Sequence, residues 1–243
     1  MKPFKFKEFT IHQDQCAMKI GTDGVLLGAW ASIENNPYAI LDIGAGTGVI
    51  ALMLAQRSHA DTIEAIELDV AAYEQCTDNF ENSLWADRLF CFHAGFDEFV
   101  DEYTAEDSED AELYDIIVSN PPFYTEEVTS GNDARDTARQ NLSLPFDELV
   151  SGAAKLLSSK GIFSTIIPFK EETGFIALAE KENLFPIRIT RVKGHKDSEI
   201  KRSLLEFGFQ NGAVKIDELI IELERNIYTQ DYIKLTKDFY LKM

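Results

Sequence analysis

An amide, two imino acids and an aromatic ring stand in a row at Asn120, Pro121, Pro122 and Phe123, at the end of the apolar segment 114–120. Asn and Pro are ordinary turn residues, so a plain strand exit is one reading. The other is chemical. An exocyclic amine conjugated to a ring, as in adenine, is a poor nucleophile until its nitrogen becomes pyramidal. The Asn120 side-chain oxygen and the Pro121 carbonyl oxygen can accept its two hydrogens and favour that geometry. Pro121 and Pro122 fix φ and remove competing N–H donors, and Phe123 offers a flat face for a base drawn out of its stack.

A second cluster lies upstream in "LDIGAGTGVIALML", where Gly44, Gly46 and Gly48 let the main chain turn sharply and a ligand approach closely. One register of the turn fits the dinucleotide fingerprint, which would make the chain a nicotinamide oxidoreductase. Asp42 argues otherwise. A carboxylate within the turn repels a pyrophosphate but suits a cofactor carrying an ammonium and a sulfonium, as S-adenosylmethionine does. Glu67 ends the next strand at the offset where an acid holds ribose hydroxyls, which serves either cofactor.

The elements needed to position these clusters are legible in the periodicity. Strands are expected at 38–44, 62–68, 88–94, 114–120, 162–168, 185–193 and 201–210. Helices are expected at 49–57, 69–83 (capped by Asp69), 145–161 (stopped by Gly161) and 170–184. Strand alternating with helix makes an α/β fold, a Rossmann-like, mostly parallel seven-stranded sheet covered on both faces. Residues 211–243 add a strand and a terminal helix. The whole chain reads as one domain, with 1–37 as an N-terminal lid or substrate segment and 38–210 as the core.

Composition narrows the classes. No apolar run is long enough to span a bilayer, and the start lacks a signal-peptide block, so a cytoplasmic protein is expected. Cys16, Cys76 and Cys91 form no paired motif and the four histidines are scattered, so neither a disulfide framework nor a metal is expected. The net charge of −19 opposes general affinity for nucleic acid. It is uneven, however: residues 97–115 hold ten acids and no base, and 186–202 hold six bases against two acids. Lys193, Lys196, Lys201 and Arg202, with Lys2, Lys5 and Lys7, are the candidate phosphate contacts.

Together, DIGAGTG and NPPF resemble class I methyltransferases that act on exocyclic or amide nitrogens. With "CAMKIGTDGVLLGAW" near the start and "LTKDFYLKM" at the end, the chain resembles the bacterial valine-tRNA adenine-37 N6-methyltransferase family over almost its whole length. That resemblance implies S-adenosylmethionine as cofactor and tRNA as substrate; no obligate protein partner is expected. It sets Lys19, Thr22 and Asp23 at the methionine end of the cofactor, and Phe96 and Asp97 beside its adenine. Gly95 departs from the family there, where members often carry Asp. Read from the residues alone, 19–30 is a capped turn and a short apolar helix. The same NPPF could serve guanine N2, DNA adenine or a protein glutamine, or persist in a cofactor-binding protein without turnover. A target-recognition domain for DNA is not visible, and residues 1–37 are too few for the helical domain of the protein-glutamine enzymes.

Overall fold

A computed structural model describes residues 2–105, 113–122 and 144–243. A short hairpin, β1 (Phe4–Lys5) with β2 (Thr10–Ile11), leads into helix α1 (Thr22–Trp30). Next come β3 (Ala39–Ile43), α2 (Val49–Arg57), β4 (Thr62–Glu67), α3 (Val70–Glu81) and β5 (Leu89–His93). Helix α4 (Phe96–Tyr103), β6 (Tyr114–Ser119), α5 (Phe146–Leu156) and β7 (Leu157–Pro168) follow. A 3-10 turn then leads to α6 (Glu172–Lys181), β8 (Phe185–His195) and β9 (Ile200–Gly208). The last elements are β10 (Lys215–Glu224), β11 (Ile227–Tyr228) and α7 (Gln230–Thr236).

The sheet order is β11-β10-β8-β9-β7-β6-β3-β4-β5, nine strands in place of the seven expected for the core. The seven are all present. The tail strand anticipated from the sequence adds β10 beside β8, and the two-residue β11, which has too little periodicity to read, pairs with it. Strands β3 to β7 are parallel, whereas β9 runs antiparallel to both β7 and β8. Two reversals restore the direction, so β8 and β10 end at the same edge as β3, β4 and β6. The chain leaves β3 toward β4 on one side while β6 joins on the other, and crevices form at such a reversal.

One boundary differs from the periodicity. The helix expected to run to Gly161 ends at Leu156, and Leu157–Pro168 is strand. Residues 158–161 form an irregularity in the β6–β7 register, where Tyr114 pairs with Leu157 and Ile116 with Ile162. A side chain at Gly161 would lie 2.9 Å from the Tyr114 carbonyl oxygen, so this glycine serves close strand approach rather than a helix stop. The acidic stretch also holds more order than its charge implies: α4 buries Phe96 and Val100 and turns Asp97, Glu98 and Asp101 outward.

Apolar side chains fill both sheet faces. One layer joins α1, α2 and the terminal segments, with Leu27, Leu52 and Met53 fully buried; the other joins α4, α5 and α6, with Leu149, Phe163 and Phe175. Helix α1 is held to β8 and β9 by buried polar contacts. Arg188 lies 3.8 Å over the Trp30 ring, donates to the Trp30 carbonyl at 2.7 Å and pairs with Glu206 at 2.9 Å. The three cysteines are free thiols, and among the described residues no cluster of His, Cys, Asp or Glu could hold a metal ion. None of the described helices is long and apolar enough to cross a membrane.

Candidate active site

At the C-terminal edge of β3, β4, β5 and β6 lies a cavity of about 400 Å³. Its wall takes Gly44 and Gly46 from the turn after β3, Glu67 from the end of β4, Gly95, Phe96 and Asp97 from the start of α4, and Asn120, Pro121 and Pro122 from the end of β6. The two clusters read from the sequence, some 70 residues apart on the chain, therefore face one space.

Local geometry explains the residue types. Gly44 and Gly46 have φ of 72° and 56°, a region costly for a side chain, and a Cβ at either would meet open space, so main chain alone borders the cavity. Gly48, with φ 77°, works differently. A Cβ there would lie 2.6 Å from the Phe80 ring and 2.8 Å from the Cys76 sulfur, so it lets α3 pack onto the start of α2 and does not line the cavity.

The acids also divide. Glu67 borders the cavity and accepts from the Gly46 N–H at 2.8 Å and the Asp69 N–H at 2.9 Å, which fixes the glycine turn against β4. Asp42 is wholly buried behind the turn; its Oδ2 accepts from the Ala51 N–H at 3.1 Å, and Oδ1 has no partner. Burial pushes its pKa up to about 7, the Ala51 hydrogen bond lowers it in part, and the nearby Glu67 charge adds to the rise. Asp42 does not line the cavity, where the sequence suggested ligand contact; behind the turn its carboxyl instead takes the Ala51 N–H of α2.

The N-terminal block covers the cavity with other residues than those expected. Cys16, Ala17 and Met18 line it; Lys19, Thr22 and Asp23 do not. Lys19 donates to the Gln13 carbonyl at 2.6 Å and the Cys16 carbonyl at 3.2 Å, shaping the strap over the cavity. Asp23 pairs with Arg202 at 2.7 Å, and the helix begins from Gly21 without a side-chain cap. A methyl built on the next residue, Gly24, would lie 3.9 Å from Asn120 Nδ2, so this stretch borders the amide. Burial, and next the Glu67 charge, push the Cys16 thiol up to about 11, which keeps it protonated and unreactive.

Helix α3 anchors the strap. Asn79 Nδ2 donates to the carbonyls of His12 and Thr47, both at 2.9 Å, and its Oδ1 accepts from the His12 N–H at 2.8 Å. The sequence showed this helix as having an Ala-rich face and a polar face; Gln75 and Asn79 on the polar face are 2 % exposed. The missed lining residues, such as Ile66, Leu68 and Ser119, sit at strand ends and carry no motif; position on the sheet edge was the only signal.

Phe123 lies outside the described residues. In the expected RNA patch, Lys193 pairs with Glu218 at 2.9 Å, Lys201 with Glu199 at 3.9 Å and Arg202 with Asp23, while Lys196 is exposed in the β8–β9 turn. Much of that patch is neutralised within the chain.

Comparison with known proteins decides the family. The model of the methyltransferase small domain matches residues 25–173. The chain belongs to that methyltransferase family. Among similar methyltransferases, the tRNA1(Val) (adenine(37)-N6)-methyltransferase of Flavobacterium johnsoniae is 59 % identical over 241 residues, 99 % of this chain and all of the relative. The protein of the same name from Christiangramia forsetii is 57 % identical over 242 residues, all of this chain and 99 % of the relative. Among solved structures, a predicted O-methyltransferase from Agrobacterium tumefaciens is 17 % identical with a TM-score of 0.66, covering 89 % of this chain and 96 % of that one. This last likeness bears on the fold alone, and it agrees with the Rossmann-like class I methyltransferase arrangement expected from the sequence.

Proposed function

We propose that this protein is an S-adenosylmethionine-dependent tRNA methyltransferase that methylates N6 of an adenine, adenine 37 of tRNA(Val) as in the names of its relatives, and that it works in the cytoplasm as a single domain. The observation that carries the reading is the shared cavity of the Gly44–Gly46 turn and Asn120–Pro122 in a chain 59 % identical to such an enzyme. At about 400 Å³ the cavity falls within the roughly 300–1,000 Å³ usual for small-molecule sites. Its side-chain-free glycine wall and the Glu67 carboxylate fit a nucleoside bearing positive charge.

S-adenosylmethionine supplies, when bound, a methyl group already activated by its sulfonium. Gly44, Gly46 and Glu67 hold that cofactor, with Phe96 and Asp97 beside its base and Asp42 favouring its positive charge through the turn. Lys19 shapes the strap above, and Thr22 and Asp23 set the entry of α1 against Asn120. Asn120 and Pro121 hold the target amine by its two hydrogens, and Pro122 keeps that pair of acceptors rigid. Phe123 receives the extruded base by stacking. Because the methyl arrives activated, alignment supplies most of the acceleration and no strong general base is needed.

Nucleoside mass spectrometry of tRNA from a strain lacking the gene, before and after treatment with purified protein and S-adenosylmethionine, tests this. The expected product is N6-methyladenosine at position 37 of tRNA(Val). Methylguanosine, methylated DNA or methylglutamine on a protein would replace the substrate. Affinity for NAD alone would remove the reading.

A further inference from the structure

A second cavity, of about 700 Å³, opens on the far side of the strap. Residues 16–18 line the first cavity and residues 20–22 the second, so one short stretch of chain is the wall between them. Gly194 at the end of β8 and Glu222 at the end of β10 also line it, which sets it on the same sheet edge as Asn120.

Its lining is aromatic. Phe4, Tyr228 and Tyr240 are partly exposed there, and Tyr232, which also lines it, is buried. Tyr228 packs 5.2 Å from Tyr232, centroid to centroid, and Phe4 lies 6.3 Å from Tyr240. The mouth is basic. Phe6 bridges to Tyr240 and the Lys7 N–H donates to Phe239 at 2.8 Å, so the two terminal segments run side by side. The two terminal segments carry Lys2, Lys5, Lys7, Lys234, Lys237 and Lys242 against Glu8, Asp231 and Asp238 in a chain of net charge −19, and the Lys7 ammonium donates to the Lys237 carbonyl at 2.6 Å. Lys5 and Lys242 themselves line the cavity, are exposed, and carry no ion pair among the described residues. Lys193, Lys201 and Arg202 differ in each pairing with a carboxylate of the same chain.

Partly exposed rings beside lysines without an ion pair are what a single-stranded polynucleotide recognises: bases stack on the rings and phosphates meet the ammonium groups. We infer that the Phe4–Tyr228–Tyr240 cavity is a second base-binding subsite, which takes an unstacked nucleotide of the same RNA whose adenine is held at Asn120. The inference rests on the reading of this protein as an RNA methyltransferase and adds to it the place where a neighbouring nucleotide is gripped.

The test uses full-length protein, S-adenosylmethionine and an unmodified tRNA(Val) transcript. Tyr228→Ala should raise KM for the transcript about ten- to a hundredfold, as expected for loss of a stacking face. Tyr228→Trp should recover most of it, which a merely structural role would not. An unchanged cofactor dissociation constant checks that the variant is folded. Should it fail to fold, photo-crosslinking of 4-thiouridine-substituted transcript to the wild-type protein decides: adducts at Phe4, Tyr228 or Tyr240 support the subsite, and adducts absent from all three overturn it. A KM for Tyr228→Ala within twofold of wild type also overturns it. If the wild type methylates the transcript while either of those results is obtained, the subsite alone falls; if it binds no RNA, the subsite falls with the parent reading.

Discussion

Among the described residues three carboxylates are buried against this sheet, Asp42, Glu172 and Glu206, and a fourth, Glu67, is half-buried at its edge; the two flanks treat them differently. On the β8–β9 flank, Glu206 accepts from Arg188 at 2.9 Å and from the Ser32 N–H at 2.7 Å, and Glu172 accepts from Arg191 at 2.7 Å and from Ser203. On the flank bearing the cavity, Asp42 has one main-chain N–H and Glu67 has two, with no cation among their hydrogen-bond partners. Depth is similar for three of them: Asp42 is 0 %, Glu206 3 % and Glu172 6 % exposed. A facing guanidinium decides the outcome. Where it is present the acid ties helix to sheet; where it is missing the acid has main-chain N–H partners alone, and burial drives Asp42 toward its protonated form.

The largest expected break is Glu206→Ala. It leaves Arg188 without its counter-charge and should cost about 3–5 kcal/mol in urea unfolding; a loss under about 1 kcal/mol would erase the distinction between the flanks. Asn120→Ala should do the reverse, cutting turnover about a hundred- to a thousandfold, roughly 2.7–4 kcal/mol, with little change in cofactor affinity or unfolding midpoint. Unchanged turnover would remove Asn120 from the chemistry.

A pH series on Asp42→Asn sharpens the comparison further. The folded pKa of Asp42 is raised from 3.8 to about 7, so between those values the folded protein binds a proton that the unfolded chain does not. Stability from this group is therefore greatest in acid and falls as pH rises through about 7. Relative to Asp42→Asn, the wild type should lose about 2–3 kcal/mol between pH 5 and pH 8. A constant difference across that range would show the acid to be compensated after all. Smallest of all, Lys201→Ala breaks only an exposed pair at 3.9 Å and should change stability by less than about 0.5 kcal/mol, as double-mutant cycles can verify.

What the sequence revealed follows how local each determinant is. Strands β3 and β6 were legible because an apolar run ends at Gly44 or Pro121 within the same segment, helix α2 because its apolar spacing closes on Arg57, and the Asp69 cap because its partner, Ala72, is three residues on. The meeting of Gly44 with Asn120 followed from strand order. The α5–β7 junction did not, because Ser158 to Gly161 are held in the sheet by β6, through Ser158 to Asp115 at 3.0 Å and the close approach at Gly161, and not by their own propensity. Lys19 and Asp23 look like ligand-binding charges until the fold supplies Gln13 and Arg202, 6 and 179 residues away. Glycines in one motif likewise read as equivalent, whereas Gly48 answers to Phe80 on the next helix.

Asn79 gives two hydrogens and takes one, joining residue 12 of the strap to residue 47 of the glycine loop through a single planar group. Aspartate has the same outline but would set an anion against two oxygens, and leucine would strand all three main-chain groups; only a carboxamide satisfies the arrangement. The roof and the floor of the first cavity thus share one rivet, so that neither can be re-engineered, or drift over generations, without carrying the other with it.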